Sequence, residues 1–190
     1  MRTFIAIELP LDIKEKLSWI QDKLSRCGAD INWVSANNMH LTLKFLGEID
    51  QGKLNAVIKA TEEITQDKFQ FGITLLNLGV FPSPNFPKVI WAGIEEGNSE
   101  IIIIAKALEE KLERLGIPKE GRPFSSHITL GRTRAPTNKD RLLKSLNILK
   151  DEFSKNGAGF IADKITIFKS TLTPGGPLYE ALKEIALKAT

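Results

Sequence analysis

The sequence predicts an α+β fold built from two similar halves, and two observations support this prediction. Short apolar stretches typical of strands alternate with longer stretches in which apolar residues recur every three or four positions, as on one face of a helix. The order strand, helix, strand, helix also occurs twice along the chain. The strand-like segment 3–8 resembles the segment 90–95, which lies 87 positions later, and Ile7 matches Ile94.

The first half is predicted to contain two helices set between strands. Pro10 suits the start of the first helix, and Gly28 suits its end because glycine readily adopts the left-handed conformation that follows many helices. The apolar positions of the two helices are Ile13, Leu17, Ile20 and Leu24, and then Leu54, Val57, Ile58, Thr61 and Ile64. Strands are expected at residues 3–8, 32–34, 39–46 and 69–78.

The second half is predicted to repeat this order before two closing strands. Its helices are expected after Ser99 and Asn138, residue types that favour helix starts. Strands are expected at residues 89–94, 126–131, 161–170 and 178–185. The segment 81–87 holds three prolines and is predicted to be a loop, because proline is disfavoured inside a strand.

Together these elements predict a single bilobal domain, 1–190, with an internal pseudo-repeat at roughly 1–70 and 88–155. We expect two pseudo-symmetric lobes, each with an antiparallel sheet and with helices on its outer face. Strands are expected to be exchanged between the lobes. A central cleft between the lobes would receive one histidine from each.

Composition and charge are those of an ordinary globular protein, with 42% hydrophobic and 26% charged residues. A net charge of +3 is compatible with an anionic ligand but does not by itself indicate nucleic-acid binding. The single cysteine, Cys27, excludes an internal disulfide and suits a reducing compartment. The amino-terminal apolar run is broken by Glu8, unlike a signal peptide, and the run 101–105 is too short to span a bilayer. We therefore expect a cytoplasmic protein and, with no obligate interface indicated, a monomer.

The two histidines of the chain open the same pattern, His-Leu-Thr-Leu from His40 and His-Ile-Thr-Leu from His127. Residues two apart in a strand lie on one face, about 6–7 Å from each other. His40 is therefore expected to share a face with Thr42, and His127 with Thr129. Two such pairs facing one cleft would supply two imidazoles for proton transfer and two hydroxyls to hold an anion, which is the equipment for acid–base chemistry on a phosphodiester.

Other catalytic chemistries find little support in the sequence. Two histidines and the distant Cys27 do not form a usual zinc ligand set, and no HExxH motif occurs. The chain also lacks the GxSxG motif of nucleophilic serines and the GxxxxGK[ST] loop that binds nucleoside triphosphates. We therefore expect neither a metal ion nor a cofactor.

Positive residues cluster around the second histidine motif, and arginine binds phosphate through paired hydrogen bonds. Arg132 is the strongest candidate. A regular strand would turn Arg132 away from His127, and a bulge at Gly131 would turn it back. Lys44 is the next candidate, because a regular strand places it on the face of His40. Weaker candidates, which could equally belong to an ordinary solvated surface, are Lys119, Arg122 and Arg134.

Aromatic side chains could stack on a nucleobase, although core packing is the more common role. Phe45 shares the parity of Leu41 and Leu43 and is therefore expected in the core. Four aromatic residues in or beside loops near the histidine strands are better candidates, namely Trp33, Phe81, Phe86 and Phe124.

Five segments together resemble the bacterial and archaeal RNA 2′,3′-cyclic phosphodiesterases, also called 2′-5′ RNA ligases, of the two-histidine phosphoesterase superfamily. They are MRTFIAIEL, HLTLKFLGE, FPSPNFPKVIWAG, RPFSSHITLGRTR and IFKSTLTPGGPLYE. The resemblance implies a bilobal α+β fold with a water-filled cleft. It also implies opening of an RNA-terminal 2′,3′-cyclic phosphate to a 2′-phosphomonoester without metal or nucleotide cofactor.

The resemblance further implies a role for each motif residue. His40 would be the proton donor to the leaving 3′ oxygen, and His127 would be the proton acceptor that activates water. Thr42, Thr129 and Arg132 would bind the substrate phosphate. Two related activities remain open: 2′-5′ joining of RNA ends bearing a cyclic phosphate and a 5′-hydroxyl, and cleavage of 2′-5′ oligonucleotides. A non-catalytic RNA-binding module is a third interpretation, but binding alone does not require a matched pair of histidines.

Overall fold

The computed structural model of the protein describes residues 1–189 and has an α+β fold, which confirms the predicted class. The four α-helices in this range are Leu11–Ser25 (α1), Gln51–Thr65 (α2), Asn98–Glu113 (α3) and Lys139–Asn156 (α4). The strands are Arg2–Glu8 (β1), Ile31–Trp33 (β2), His40–Glu48 (β3), Phe71–Ser83 (β4), Phe86–Ile94 (β5), His127–Thr133 (β6), Ala158–Ala162 (β7), Lys164–Thr173 (β8) and Gly176–Ala186 (β9). A single 3₁₀ turn, Ala36–Asn38, precedes β3.

All of these strands belong to one antiparallel sheet, whose main path runs β7-β4-β5-β6-β3-β1-β8-β9. β2 pairs with β6 off this path. The histidine strands β3 and β6 form the central pair and are joined through Leu41 and Ile128. The main path therefore divides into two halves of four strands, and a histidine strand forms the inner edge of each half.

The offset of 87 positions noted in the sequence recurs in the elements. It separates Leu11 from Asn98, at the starts of α1 and α3, and His40 from His127, at the starts of β3 and β6. β4, which follows α2 in the chain, pairs with β5 and β7. β8, near the end of the chain, pairs instead with β1. Each half of the sheet thus contains strands from both parts of the sequence.

One apolar core joins buried residues of all four helices with buried residues of the sheet. The histidine strands contribute to this core Leu41, Leu43, Ile128 and Leu130. Because side chains alternate along a strand, this burial turns the histidine and threonine of each motif to the opposite face. None of the helices within residues 1–189 has the length and apolar character that a membrane span requires.

The prediction of a loop over residues 81–87 is wrong, because β4 and β5 continue through it as a hairpin. Only Pro84 and Asn85 form the turn, and Pro82 pairs with Pro87 across the hairpin. Towards the tip of the hairpin, at residues 86–88, β5 pairs with β4 but not with β6. On the other edge, β4 pairs with β7 only between Phe71 and Leu75. Proline is tolerated here because the tip of the hairpin has free edges where no donor is required.

Candidate active site

A β-bulge in β3 determines which of its side chains point into the core and which point out of it. Ala6 of β1 pairs with Thr42, and the next pair joins Ile5 to Lys44, so that Leu43 is the extra residue. Leu43 and Lys44 are consequently both buried, and the strand parity is reversed after them. Phe45, which a regular strand would bury, is 54% exposed. The prediction that Phe45 belongs to the core is therefore wrong.

β6 carries the same bulge 87 positions later. Trp91 of β5 pairs with Thr129, and the next pair joins Ile90 to Gly131, so that Leu130 is the extra residue. The reversal turns Arg132 to the side of His127. In Gly131, a Cβ would lie 2.7 Å from Ile31 Cγ2 and 2.8 Å from Trp33 Cε3. Glycine is therefore required for β2 to pack closely against the bulge.

The histidine and threonine of both motifs lie on the wall of one cavity of about 430 Å³, and the two bulges turn Phe45 and Arg132 to the same wall. His40, Thr42, His127, Thr129 and Arg132 all line it. Because β3 and β6 are antiparallel and Leu41 pairs with Ile128, His40 lies opposite Thr129. For the same reason, Thr42 lies opposite His127. The cavity thus receives an imidazole and a hydroxyl from each half of the sheet.

Each imidazole is fixed by a backbone carbonyl two residues before it. His40 Nδ1 lies 2.7 Å from the Asn38 carbonyl oxygen, and His127 Nδ1 lies 2.8 Å from the Ser125 carbonyl oxygen. A carbonyl only accepts hydrogen bonds, so Nδ1 of each ring holds a proton and donates it. Both neutral rings are therefore the same tautomer, and Nε2 of each is the nitrogen left for proton exchange with a substrate.

The surroundings of both histidines favour the neutral imidazole. Burial lowers the pKa of His40 below its ordinary value, and the charges of Lys14 and His127 lower it further, whereas the Asn38 carbonyl opposes this by raising the pKa. Burial likewise lowers the pKa of His127, and Arg132 adds to that effect against the opposing Ser125 carbonyl. Burial, with a smaller contribution from nearby positive charge, thus favours the neutral form of both imidazoles.

Aromatic rings pack against both histidines. The ring of His40 lies 4.7 Å from that of Phe4 and 5.3 Å from that of Tyr179, which meets it edge-on. The ring of His127 meets Phe81 edge-on at 5.1 Å. These contacts limit the rotation of each imidazole about its Cβ and complete the orientation set by the carbonyl hydrogen bond.

The structure brings to the site residues that were not predicted from the sequence, and four of them surround His40 and the cavity wall. Arg2, Phe45 and Tyr179 line the histidine cavity, and Phe4 supports His40 from beneath. Burial raises the pKa of the Tyr179 hydroxyl, which therefore stays protonated at neutral pH. Arg2, Phe4 and Tyr179 reach His40 through the pairing order β3-β1-β8-β9, and no sequence signal gives that order.

Lys44 is not part of the site, and its prediction as a phosphate ligand is wrong. The bulge at Leu43 turns its side chain into the protein, where it is 1% exposed. Its ammonium group lies 2.6 Å from a carboxylate oxygen of Glu109 on α3 and donates to the Pro118 carbonyl at 2.7 Å. Lys44 therefore ties β3 to α3 and to the segment that leads towards β6.

The other candidates from the sequence fall into three groups. Trp33 lines the histidine cavity, and Phe81 contacts His127. Arg122, Arg134 and Phe86 lie outside it, along a neighbouring cavity. Neither remaining candidate lines either cavity: Lys119 pairs with Glu113 on the surface, and Phe124 lies beside Ser125 in a smaller depression. Within residues 1–189 no group of three or more His, Cys, Asp or Glu side chains could hold a metal ion.

Comparison with known proteins assigns this fold and site to the class of phosphoesterases. The chain belongs to the LigT-like phosphoesterase family, whose model matches it twice, over residues 7–91 and again over residues 94–179. Each of the two matches contains one histidine motif. The resemblance noted in the sequence is thereby confirmed for the family, and the chain is an enzyme of the phosphodiesterase type.

Relatives match almost the whole chain. An RNA 2′,3′-cyclic phosphodiesterase of Methanocaldococcus jannaschii is 39% identical over 185 residues, covering 97% of this chain and 99% of the relative. One of Thermotoga maritima is 34% identical over 185 residues, covering 97% and 94%. The crystal structure of a Thermus thermophilus protein superimposes with a TM-score of 0.81 at 26% identity, covering 100% and 99%. Escherichia coli LigT complexed with 3′-AMP gives 0.75 at 27% identity, covering 98% and 97%.

Proposed function

We propose that the chain hydrolyses RNA-terminal 2′,3′-cyclic phosphates to 2′-phosphomonoesters without a metal ion. The observation that carries this proposal is the pair of imidazoles on one cavity wall, each with Nδ1 bonded to a carbonyl and Nε2 left for the substrate. Support for the substrate comes from relatives named RNA 2′,3′-cyclic phosphodiesterase and from a similar structure that holds 3′-AMP.

The proposed reaction divides proton transfer between the two rings. His127 takes a proton from water at Nε2 as the water oxygen bonds to phosphorus, and His40 gives its Nε2 proton to the leaving 3′ oxygen as the P–O3′ bond breaks. The phosphate stays on the 2′ oxygen. His127 ends protonated and His40 ends neutral, and exchange with solvent restores both.

Charge on the phosphoryl oxygens increases as water attacks, and this charge must be stabilised by donors that are already in place. Thr42 and Thr129 line the cavity beside the histidines, and each hydroxyl offers one hydrogen-bond donor. Arg132 contributes a positive charge on the same wall. We propose that these three side chains bind the non-bridging oxygens.

The assignment of acid and base is supported by the position of Arg132. Its charge lowers the pKa of His127, and a base must be neutral before it can accept a proton. His40 lies on the other strand, and the resemblance noted in the sequence implies that it is the donor. His40 is accordingly proposed as the donor and His127 as the acceptor.

The substrate and product are tested with purified protein and cytidine 2′,3′-cyclic phosphate in the presence of EDTA. We expect cytidine 2′-monophosphate, identified by chromatography against the 3′ isomer, at the same rate with and without EDTA. Loss of activity in EDTA with recovery on adding a divalent metal would contradict a metal-free reaction, and the 3′ isomer as product would contradict the proposed bond cleavage.

The separate roles of the histidines are tested with a substrate whose leaving group needs no protonation and which has no ribose hydroxyl to replace water as the nucleophile, bis(4-nitrophenyl) phosphate. We expect His40→Ala to lose far less activity on this ester than on the cyclic phosphate, because nitrophenolate leaves without an acid. The matched variant His127→Ala lacks the base and is expected to lose activity on both. The reverse pattern would exchange the two roles.

The joining of RNA ends uses the same cyclic phosphate, with a ribose 5′-hydroxyl in place of water. Incubation with two RNA pieces, one ending in a cyclic phosphate and one beginning with a 5′-hydroxyl, measures both reactions together. We expect the opened phosphate to exceed the joined product because water is the more abundant nucleophile.

A further inference from the structure

A second cavity, of about 560 Å³, lies next to the histidine cavity, and Arg132 lines both. We call it the hairpin groove. One side is the tip of the β4–β5 hairpin, with Phe81, Phe86 and Lys88. The other side is the segment from Arg134 to the start of α4. The hairpin groove therefore begins at the proposed phosphate site and leads away from it along the hairpin.

Charge in the hairpin groove has one sign. Five cationic side chains line it, and no Asp or Glu does so among the residues that the structure describes. The five are Lys88, Arg122, Arg132, Arg134 and Lys139. None of them forms an ion pair within residues 1–189, although lysines elsewhere on the surface commonly do. Uncompensated positive charge concentrated along one groove attracts a polyanion.

Aromatic surface accompanies this charge. Phe86 at the hairpin tip is 71% exposed, although a large apolar side chain normally gains by burial. Phe81 lines the hairpin groove and also contacts the ring of His127. The hairpin thus presents aromatic rings from the catalytic histidine outward, beside the cationic side chains.

We propose that the hairpin groove binds the nucleotides that immediately precede the terminal cyclic phosphate, as unpaired RNA. The proposal rests on the proposed function, which places the terminal phosphate beside Arg132. The 5′ side of that nucleotide continues into the rest of the strand, whose phosphates meet the cations of the groove. Phe86 stacks on one of the bases.

Unpaired RNA fits these side chains better than a duplex. Positive grooves that follow the backbone, with aromatic rings that stack on bases, are the usual means of binding single strands. Bases in an A-form duplex are stacked on each other and expose only their edges. The exposed phenyl ring of Phe86 therefore cannot stack on the face of a base in a duplex. The combination of Phe86 with the cations therefore favours a single-stranded end.

The test compares two substrates with the same reacting group, cytidine 2′,3′-cyclic phosphate and an unpaired hexanucleotide ending in that cyclic phosphate. We expect Phe86→Leu to lower kcat/KM about fivefold or more for the hexanucleotide, mainly through KM, and less than twofold for the mononucleotide. Phe86→Trp keeps a stacking surface and is expected to restore the hexanucleotide activity. Phe69→Leu, which changes an aromatic residue that is 56% exposed but lines no part of the hairpin groove, is the matched control.

Charge is tested in the same assay with Lys88→Gln. The slope of log(kcat/KM) against log salt concentration is expected to become shallower by about 0.7 for the hexanucleotide and to stay unchanged for the mononucleotide. Lys106→Gln, on the exposed face of α3, is the matched control and is expected to leave both slopes unchanged.

The proposal would be overturned if Phe86→Leu kept the kcat/KM of the unchanged protein for the hexanucleotide and Lys88→Gln kept its salt slope. Equal turnover of a hexanucleotide annealed to its complement up to the last base would overturn the assignment to unpaired RNA. If the unchanged protein turns over neither substrate, the proposed function fails while the hairpin groove remains testable by fluorescence anisotropy. An unpaired labelled hexanucleotide with a 3′-hydroxyl would then bind more weakly to Phe86→Leu if the groove holds RNA, and equally if it does not.

Discussion

Replacement of Glu109 by alanine is expected to destabilise the protein by about 3 kcal/mol, because it leaves the buried ammonium of Lys44 without its nearest carboxylate. Lys44 is 1% exposed and Glu109 is 22% exposed, with 2.6 Å between the charged atoms. Removing one partner of a buried ion pair generally costs about 3–5 kcal/mol. The lower end applies here, because Lys44 keeps the Pro118 carbonyl at 2.7 Å and the Glu120 carboxylate at 3.9 Å.

Urea unfolding at pH 7, followed by tryptophan fluorescence, measures this loss. With an m-value of about 3 kcal/mol/M, the midpoint is expected to fall by about 1 M. The second variant, Lys44→Met in the Glu109→Ala background, removes the uncompensated charge and is expected to recover most of the loss.

The matched control is Glu113→Ala on the same helix. Glu113 pairs with Lys119, and both side chains are about half exposed, at 52% and 50%. Solvent screens the charges of an exposed pair of this kind, so its loss is expected to change stability little. Equal destabilisation by Glu109→Ala and Glu113→Ala would refute the account of Lys44 as a buried charge, and so would a double variant no more stable than Glu109→Ala.

Four further predictions concern the cavity. Because the pKa of both histidines is lowered, kcat/KM is expected to follow a bell-shaped pH profile with its optimum below about 6.5, and a rate that still rises above pH 7 would contradict this. Arg132→Gln removes a charge that lowers the pKa of His127, so the acid limb of this profile is expected to move to higher pH while kcat/KM falls about 10- to 100-fold. Phe45→Leu is expected to raise KM for cytidine 2′,3′-cyclic phosphate about fivefold through loss of a stacking surface, with an unchanged KM as the contradicting result. Gly131→Ala introduces a Cβ within 2.8 Å of Trp33, and calorimetry is expected to show a loss of about 1–3 kcal/mol.

The first residues of each motif could be placed from the sequence, because a strand keeps its two-residue period over short distances. His40 and Thr42 lie on one side of β3, as the spacing predicts, and both line the cavity. The period fails at Leu43, where one extra residue reverses the parity of everything that follows. The same error therefore misplaced Lys44 into the site and Phe45 into the core.

The repeat in the sequence contained information that could have corrected this error. Arg132 and Phe45 are 87 positions apart, so a bulge invoked to turn Arg132 towards the cavity implies an equivalent bulge before Phe45. The contribution of Tyr179 could not be foreseen in this way, because it depends on β9 reaching the cavity through the strand order of the sheet. The monomeric state and the cytoplasmic location stay predictions.

We propose that the two imidazoles act on one phosphorus atom as a unit, and the kinetics of three variants provide the test. Asparagine at position 40 or 127 keeps an N–H donor for the carbonyl hydrogen bond. Its amide cannot accept or donate a proton in the reaction as Nε2 of an imidazole does. We expect His40→Asn and His127→Asn each to lower kcat/KM for cytidine 2′,3′-cyclic phosphate about 10³-fold, with the double variant no slower than the slower single one. Losses that multiply in the double variant, or a single variant that keeps more than about a tenth of the activity, would contradict the claim.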